Sequence, residues 1–421
     1  MPSSERTYRP TAMDRVFADG RIIAVTGPSR GLDPAGTRAT LTEAEHASAT
    51  ARVALAPDSA SREWNYRHSF ADNDVHHAPD ADTADLGKLL TDIRHRPGQR
   101  SPLEVLILGD YLAVDFSHGI GDGQMGLMAM AALAHDPDGS RAAGLAESLP
   151  ARATWTALRR HYRAHPGALR DFWRLRGAHK RRPPQDSLPT RRIEDWSSAK
   201  VSKSGYMAPA QVAQLKKWAS THAAGATSAS VSVALWAAAL RAENVTVDEH
   251  IMILFNSRRY LAPEFLGAHG NFAVGIPLHL PENSTPADIA TTMRDVIESG
   301  WPIAILGMSE LKDAIRPRAA GGAADTEAVE VPTALRLAVS DLGKLPMFGH
   351  LKWTEDGRPP QVAASLEPDG PDGVTMLIAE VGGGRTYTAS YCNKFVDDTI
   401  IESALARACT DPVGLLQDVR A

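Results

Sequence analysis

Cysteine is nearly absent: Cys392 and Cys409 are the only two in 421 residues. That excludes a disulfide scaffold and CxxC-type metal sites, and it predicts a reducing, cytoplasmic setting. Long apolar runs are missing too. Even MGLMAMAALA, from Met125 to Ala134, falls short of the roughly 18 residues a membrane span needs, so no membrane association is expected. The opening MPSSERTYRPTAMDR lacks the apolar core of a secretory signal. Neither charge dominates. With 45 Lys+Arg and 50 Asp+Glu the net charge is −5, and no basic stripe is long enough to track a phosphate backbone, which argues against nucleic acid. The densest basic stretch, HKRRPPQDSLPTRR from His179 to Arg192, is interrupted by prolines and reads as a solvated linker; a docking patch for an acidic partner is the alternative. No G-x-S-x-G elbow supports a hydrolase reading, and H-E-x-x-H ligand spacing is absent. DNDVHHAPDAD, with Asp72, Asp74, His76, His77, Asp80 and Asp82, offers ligand types but reads as a solvated loop, so no metal is expected.

What is present is ordinary globular material, 43% hydrophobic and 23% charged, in a chain long enough for two units sharing a cleft. Thr11-Ala12-Met13-Asp14 reads as a capping box opening a short helix, and RIIAVTG from Arg21 as a strand. ADTADLGKLLTDIR, from Ala81 to Arg94, has helical spacing. LEVLILGDYLAVDFS reads as two strands broken at the hairpin dipeptide Gly109-Asp110. From Thr156 to Arg176 a basic, Trp-bearing helix or two leads to the Pro-rich stretch, which is the best boundary: a first half over 1–180, a linker over 181–200 and a second half over 201–421. SGYMAPAQVAQLKKWASTHAAGATSASVSVALWAAALRAEN opens the second half as two helices. VDEHIMILFNSRR, GNFAVGIPLHLP, LRLAVSDLG, VAASLE and GVTMLIAEVGGGRTYTASYC supply strands, with a glycine hairpin at Gly382-Gly383-Gly384. AAGGAADTEAV from Ala319 reads as a flexible loop. This mixed order predicts an α/β fold of sandwich halves with mixed sheets.

One stretch carries chemistry. In VDFSHGIGDGQMGLM a buried strand ends at His118, and Gly119, Gly121 and Gly123 surround Asp122 before an apolar helix begins. A histidine at a strand end, on a loop whose glycines turn sharply and leave room for substrate, suits a general base with a pKa near neutrality. Asp122 is placed to hold the loop, by accepting first-turn amides or by pairing with a cation. A packed core histidine beside a capping aspartate is the plain alternative. Ser117 and His118 point to opposite faces of an extended chain, so they do not form a nucleophile–base pair.

The stretch Ser117-His118-Gly119-Ile120-Gly121-Asp122-Gly123 resembles the HHxxxDG signature of the chloramphenicol acetyltransferase-like superfamily, which includes nonribosomal peptide condensation domains, alcohol acetyltransferases and polyketide-associated acyltransferases. Serine replaces the first histidine. The likeness continues in order through TAMDRVF, GATSASVSVALWAAALRA, FNSRRYL, GNFAVGIPLHLP, VSDLGKLP and YTASYCNKFVDDTIIESAL, nearly the whole chain.

The resemblance implies two chloramphenicol-acetyltransferase-like α/β halves with a tunnel at their junction. It also implies a thioester-dependent, ester- or amide-forming acyltransferase in specialised-metabolite biosynthesis. His118 would take the acceptor's proton with no acyl-enzyme, and Asp122-Gly123 would be structural, with Arg258 or Arg259 as the aspartate's partner. Ser340 would donate to the oxyanion or serve as a turn serine. Ser117, Gly121, Asn271 and Asp341 are candidates for the tunnel wall, Asn271 being better suited to structural hydrogen bonding. No bound cofactor is implied; acyl-CoA or a phosphopantetheine thioester would be the co-substrate. The partners would be a small-molecule acceptor and, in one version, an acyl or peptidyl carrier protein. A tunnel within one chain points to a monomer. Two alternatives stay open: the same fold with base-catalysed cyclisation or dehydration of a tethered substrate, and a non-catalytic carrier-protein docking module.

Overall fold

The computed structural model describes residues 7–48, 51–68, 74–135, 140–181, 189–315 and 328–418. Most of the Pro-rich linker, the loop from Ala319 and Asp72 lie outside the described residues. Two mixed sheets organise the chain. The first has five strands in the order Gln361–Ser365, Arg21–Gly27, Tyr111–Ser117, Leu103–Leu108 and Val75–Ala78; its last pair is parallel and the others antiparallel. The second has six, in the order Ala273–His279, His250–Asn256, Arg336–Lys344, Gly373–Val381, Gly384–Cys392 and Lys200–Met207, with the two central pairings around Arg336–Lys344 parallel. The fold is therefore mixed α/β, as the sequence suggests. A division at 181–200 does not convey one feature: the Gln361–Ser365 strand from the second half completes the first sheet, and Leu345, Phe348 and Leu351 enter the first half's core.

Local chemistry explains the elements. The Leu103–Leu108 and Tyr111–Ser117 strands are buried along their full length, and Gly109, at φ 57°, makes the hairpin turn. A second hairpin turns on Gly382 and Gly383, both at positive φ. Helix Ala12–Val16 carries the expected capping box, with the Asp14 amide donating to the Thr11 hydroxyl and the Asp14 carboxylate accepting from the Thr11 amide. The basic segment folds as two helices, Ala153–Ala164 and Ala168–Ala178. The second half opens one element earlier than its helical pattern suggests, because Ser204, Gly205, Tyr206 and Met207 finish an edge strand that pairs along Arg385–Cys392. Among the described residues no helix is long and apolar enough to cross a membrane.

The inner faces of the two sheets position the site. Strand Ala273–His279 alternates: Val274, Ile276 and Leu278 are buried in the second half's core, while Ala273, Gly275, Pro277 and His279 keep some exposure on the other face. Met252 and Leu254 on the neighbouring strand, and Ala338 and Ser340 on the next, share that half-open face. Gly275 is required there, because a Cβ would stand 2.6 Å from Met252 Sδ.

Candidate active site

His118 follows directly on the last residue of the Tyr111–Ser117 strand. Its amide donates to the Gly20 carbonyl at 2.8 Å, and its own carbonyl accepts from Asn271 Nδ2 at 2.8 Å, so the backbone is clamped from both halves. The ring stacks on Phe17, with centroids 4.3 Å apart and planes 16° apart. The side chain lies deep among protein atoms but keeps a partly accessible edge. Nδ1 is buried with no hydrogen-bond partner, and among the described residues no carboxylate hydrogen-bonds the ring. Burial pushes its pKa below the usual imidazole value; its own main-chain carbonyl, the Asp122 carboxylate, Asn271 and Asp14 oppose the shift without cancelling it. At neutral pH the ring is unprotonated, the form a general base needs.

Asp122 caps helix Gly123–Ala134 by accepting from the Gln124 amide at 3.2 Å. The same buried carboxylate takes two hydrogen bonds from Arg258, at 2.8 and 3.2 Å, and one from the Phe272 amide at 3.0 Å. Arg258 completes its fork on the carbonyls of Ala268 and Gly270, both at 2.8 Å. Burial would raise the Asp122 pKa, but Arg258 and the Phe272 amide hold it below the ordinary carboxylate value. The aspartate thus faces the second half, and its partner is Arg258; Arg259 is exposed.

A second buried ion pair lies on the other side of the histidine, and nothing in the sequence pattern announces it. Arg52 donates to Asp14 Oδ1 at 2.8 Å, to the Gly119 carbonyl at 2.9 Å, and to the Ile120 carbonyl and the Tyr8 hydroxyl. Tyr8 in turn donates to Asp14 Oδ2 at 2.8 Å. Asn271 Nδ2 bridges Asp14 Oδ1, at 2.9 Å, to the His118 carbonyl. Five residues from four segments therefore hold the His118 loop by its carbonyls. Arg52 supplies most of the opposing charge that keeps the Asp14 pKa low.

Several candidate residues have other tasks. Ser117 is not a wall residue: its buried hydroxyl donates to the Ala18 carbonyl at 2.6 Å and accepts the Gly119 amide at 3.2 Å, which ties the strand end to the preceding turn. Asp341 also turns away from the half-open face. It accepts from Ser232 at 2.8 Å and from the Gly343 amide at 2.8 Å, near Arg385. Asn271 is a structural hydrogen-bonder placed directly against the histidine. The motif glycines are not in left-handed conformations, so sharp turning is not what they supply. Gly119 and Gly121 permit close packing instead. A Cβ at Gly121 would lie 2.7 Å from Met125 Cβ, and one at Gly119 would lie 3.0 Å from Ala18, Pro57 and Trp64. Gly123 has open space around it. Ser340 lies on the half-open face, level with Leu254 and Gly275. In the DNDVHHAPDAD segment Asp74 is buried and paired with Arg67.

These two sheets, with a histidine between them at the end of a central strand, form the fold of the condensation-domain and chloramphenicol acetyltransferase superfamily. The condensation domain of the monacolin K polyketide synthase is similar at a TM-score of 0.61 and 13% identity, over 98% of this chain and 97% of that one. A trichothecene 15-O-acetyltransferase from Fusarium sporotrichioides is similar at 0.60 and 12% identity, over 99% and 96%. The epimerization domain from the third module of tyrocidine synthetase B follows at 0.56 and 13%, over 96% and 94%. The chain matches no protein-family model and no curated protein.

Proposed function

We propose that the chain is an acyltransferase that moves an acyl group from a thioester to a hydroxyl or amine of a small metabolite. The observation that carries this reading is His118: unprotonated through burial, stacked on Phe17, and fixed through main-chain hydrogen bonds rather than by an ion pair to its ring. Such a ring is free to accept a proton, and its partly accessible edge faces the region between the halves.

The reaction needs no covalent enzyme intermediate. His118 removes the proton as the acceptor oxygen or nitrogen attacks the thioester carbonyl. The tetrahedral intermediate then collapses, the carbon–sulfur bond breaks, and the thiolate leaves with the proton that His118 has held. Ser340 stands on the face where a hydroxyl can donate to the oxyanion, a contribution worth a few kcal/mol when preorganised. The donor is acyl-CoA or an acyl-phosphopantetheine, acting as co-substrate. Asp122 and Arg258 take no part in proton transfer; they fix the loop.

Fold alone does not choose the chemistry, since an epimerization domain shares the architecture. Product mass does. Incubation with acyl thioesters and mixed alcohol and amine acceptors should give products heavier than the acceptor by the acyl group. Products of unchanged mass, or lighter by one water, would replace transfer by isomerisation, cyclisation or dehydration.

A further inference from the structure

We propose that the outward face of helix Ala168–Ala178, with the exposed side of helix Ala153–Ala164, is the docking surface for an acidic carrier domain that presents its substrate on a phosphopantetheine arm. The proposal rests on the acyltransferase reading and names the partner of that site.

The charge distribution comes first. In a chain of net charge −5, the segment from Arg152 to Arg181 holds nine Lys or Arg residues and one acid, Asp171, a local charge of 9 − 1 = +8. Asp171 stands 3.9 Å from Arg170 and 3.7 Å from Arg174, too exposed and too distant to neutralise either firmly. The apolar residues are the second sign. Helix Ala168–Ala178 buries Ala168, Phe172 and Leu175 and turns Leu169 and Trp173 outward, 50% and 57% exposed; Trp155 on the preceding helix is 47% exposed. Tryptophan and arginine together are the residues that dominate protein interfaces, the first through desolvated contact and the second through forked hydrogen bonds to carboxylates. An acidic protein helix complements both.

The third observation connects this face to the active site. Just beyond the helix, His179 and Arg181 line a cavity of about 240 Å³, together with His250, Met252, Arg336 and Thr375. Its arginines are held by acids, Arg181 by Asp248 and Arg336 by Asp369 and Asp372, so the cavity shapes an entrance rather than an anion trap. The His279 amide donates to His179 Nδ1 at 3.1 Å, which fixes the helix end against the strand. That strand, Ala273–His279, begins two residues after Asn271, the residue bonded to the His118 carbonyl. Six extended residues cover about 20 Å, a reach that a tethered, extended arm makes from a protein docked at the mouth. A membrane or a nucleic acid would answer the charge, but neither has use for an entrance leading along a strand to His118.

The test compares wild type with the double variant Arg170→Glu, Arg174→Glu on two donors: an acetyl-loaded, acidic type II acyl carrier protein, and acetyl-N-acetylcysteamine, which has no protein to dock. The expected result is a KM for the carrier raised about tenfold or more at low salt, shrinking as salt is added, with unchanged kcat and unchanged rates on the small thioester. An unchanged carrier KM, or an equal loss on both donors, would overturn the proposal. So would wild-type protein that binds phosphatidylglycerol vesicles or RNA but not the carrier. If neither donor supports transfer, the activity reading fails, and calorimetric binding of the carrier decides docking alone: binding lost on charge reversal keeps it, and no wild-type binding removes it.

Discussion

Arg258 and Asp122 come from opposite halves of the chain and meet through two buried hydrogen bonds, at 2.8 and 3.2 Å, so the loop that bears His118 is fastened across the interface. Removing the cation leaves a buried carboxylate whose desolvation nothing offsets. Arg258→Ala should therefore cost about 3–5 kcal/mol, while Arg259→Ala, at an exposed position, should stay within about 0.5 kcal/mol. Thermal or urea unfolding of both variants checks the contrast. Equal destabilisation would show that the pairing read here is wrong.

Asn271 separates positioning from folding. Its amide holds the His118 carbonyl and Asp14 at once. Asn271→Ala should lower kcat by about tenfold to a hundredfold, the scale at which a misplaced base loses its contribution, with a smaller change in KM. A parallel loss of kcat and folded fraction would reduce Asn271 to a stability residue.

The acid limb of activity follows from the direction of the His118 shift. Burial lowers its pKa below the model value of 6.5, so the base form is complete at pH 7, and kcat/KM should stay flat there and fall only as pH drops below 6.5. A profile that rises between pH 7 and 8 would mean the base titrates higher than its surroundings allow.

Stability should show its own acid window. His269 is buried against the Gly144 carbonyl, and burial lowers its pKa from 6.5 to about 4. The unfolded chain binds this proton more readily, so stability complete above pH 6.5 should be lost as pH falls toward 4. Asp14 and Asp122, with lowered pKa values, add a further loss below pH 3.8. His269→Gln should flatten the slope between pH 6.5 and 4 in denaturant titrations; an unaltered slope would assign it to other groups.

The glycines give a steric prediction. Gly121→Ala places a methyl 2.7 Å from Met125 Cβ and should destabilise by about 1–3 kcal/mol. Gly123→Ala meets nothing within 4 Å at the first residue of a helix and should be neutral or mildly stabilising. Comparing the two unfolding midpoints tests whether packing, rather than turning, fixes these glycines.

Much of this site was legible because its signals are local. The Gly109-Asp110 turn and the apolar strands around it set His118 at a strand end, and Asp122 ahead of an apolar helix marks a cap. Arg52 was not legible. It stands as a lone charge in an apolar stretch, with its partners 38 residues away at Asp14 and 44 away at Tyr8, and no periodicity encodes such pairs. The loan of Gln361–Ser365 to the first sheet was hidden for the same reason, since alternation reports a strand but not its neighbour. The tunnel-wall role read for Ser117 failed because a hydroxyl satisfies a backbone carbonyl more cheaply than it lines a cavity.

The central claim is that His118 is the base of an acyl transfer. The measurement that tests it most directly is the rate of acylated product formation, by mass spectrometry, for wild type and His118→Ala supplied with acyl-CoA, acyl-N-acetylcysteamine and acyl-carrier donors and mixed acceptors. The account predicts transfer by wild type, reduced about a hundredfold to ten-thousandfold in the variant, with both proteins equally folded. Equal rates for the two proteins, or no transfer from any donor, would contradict it.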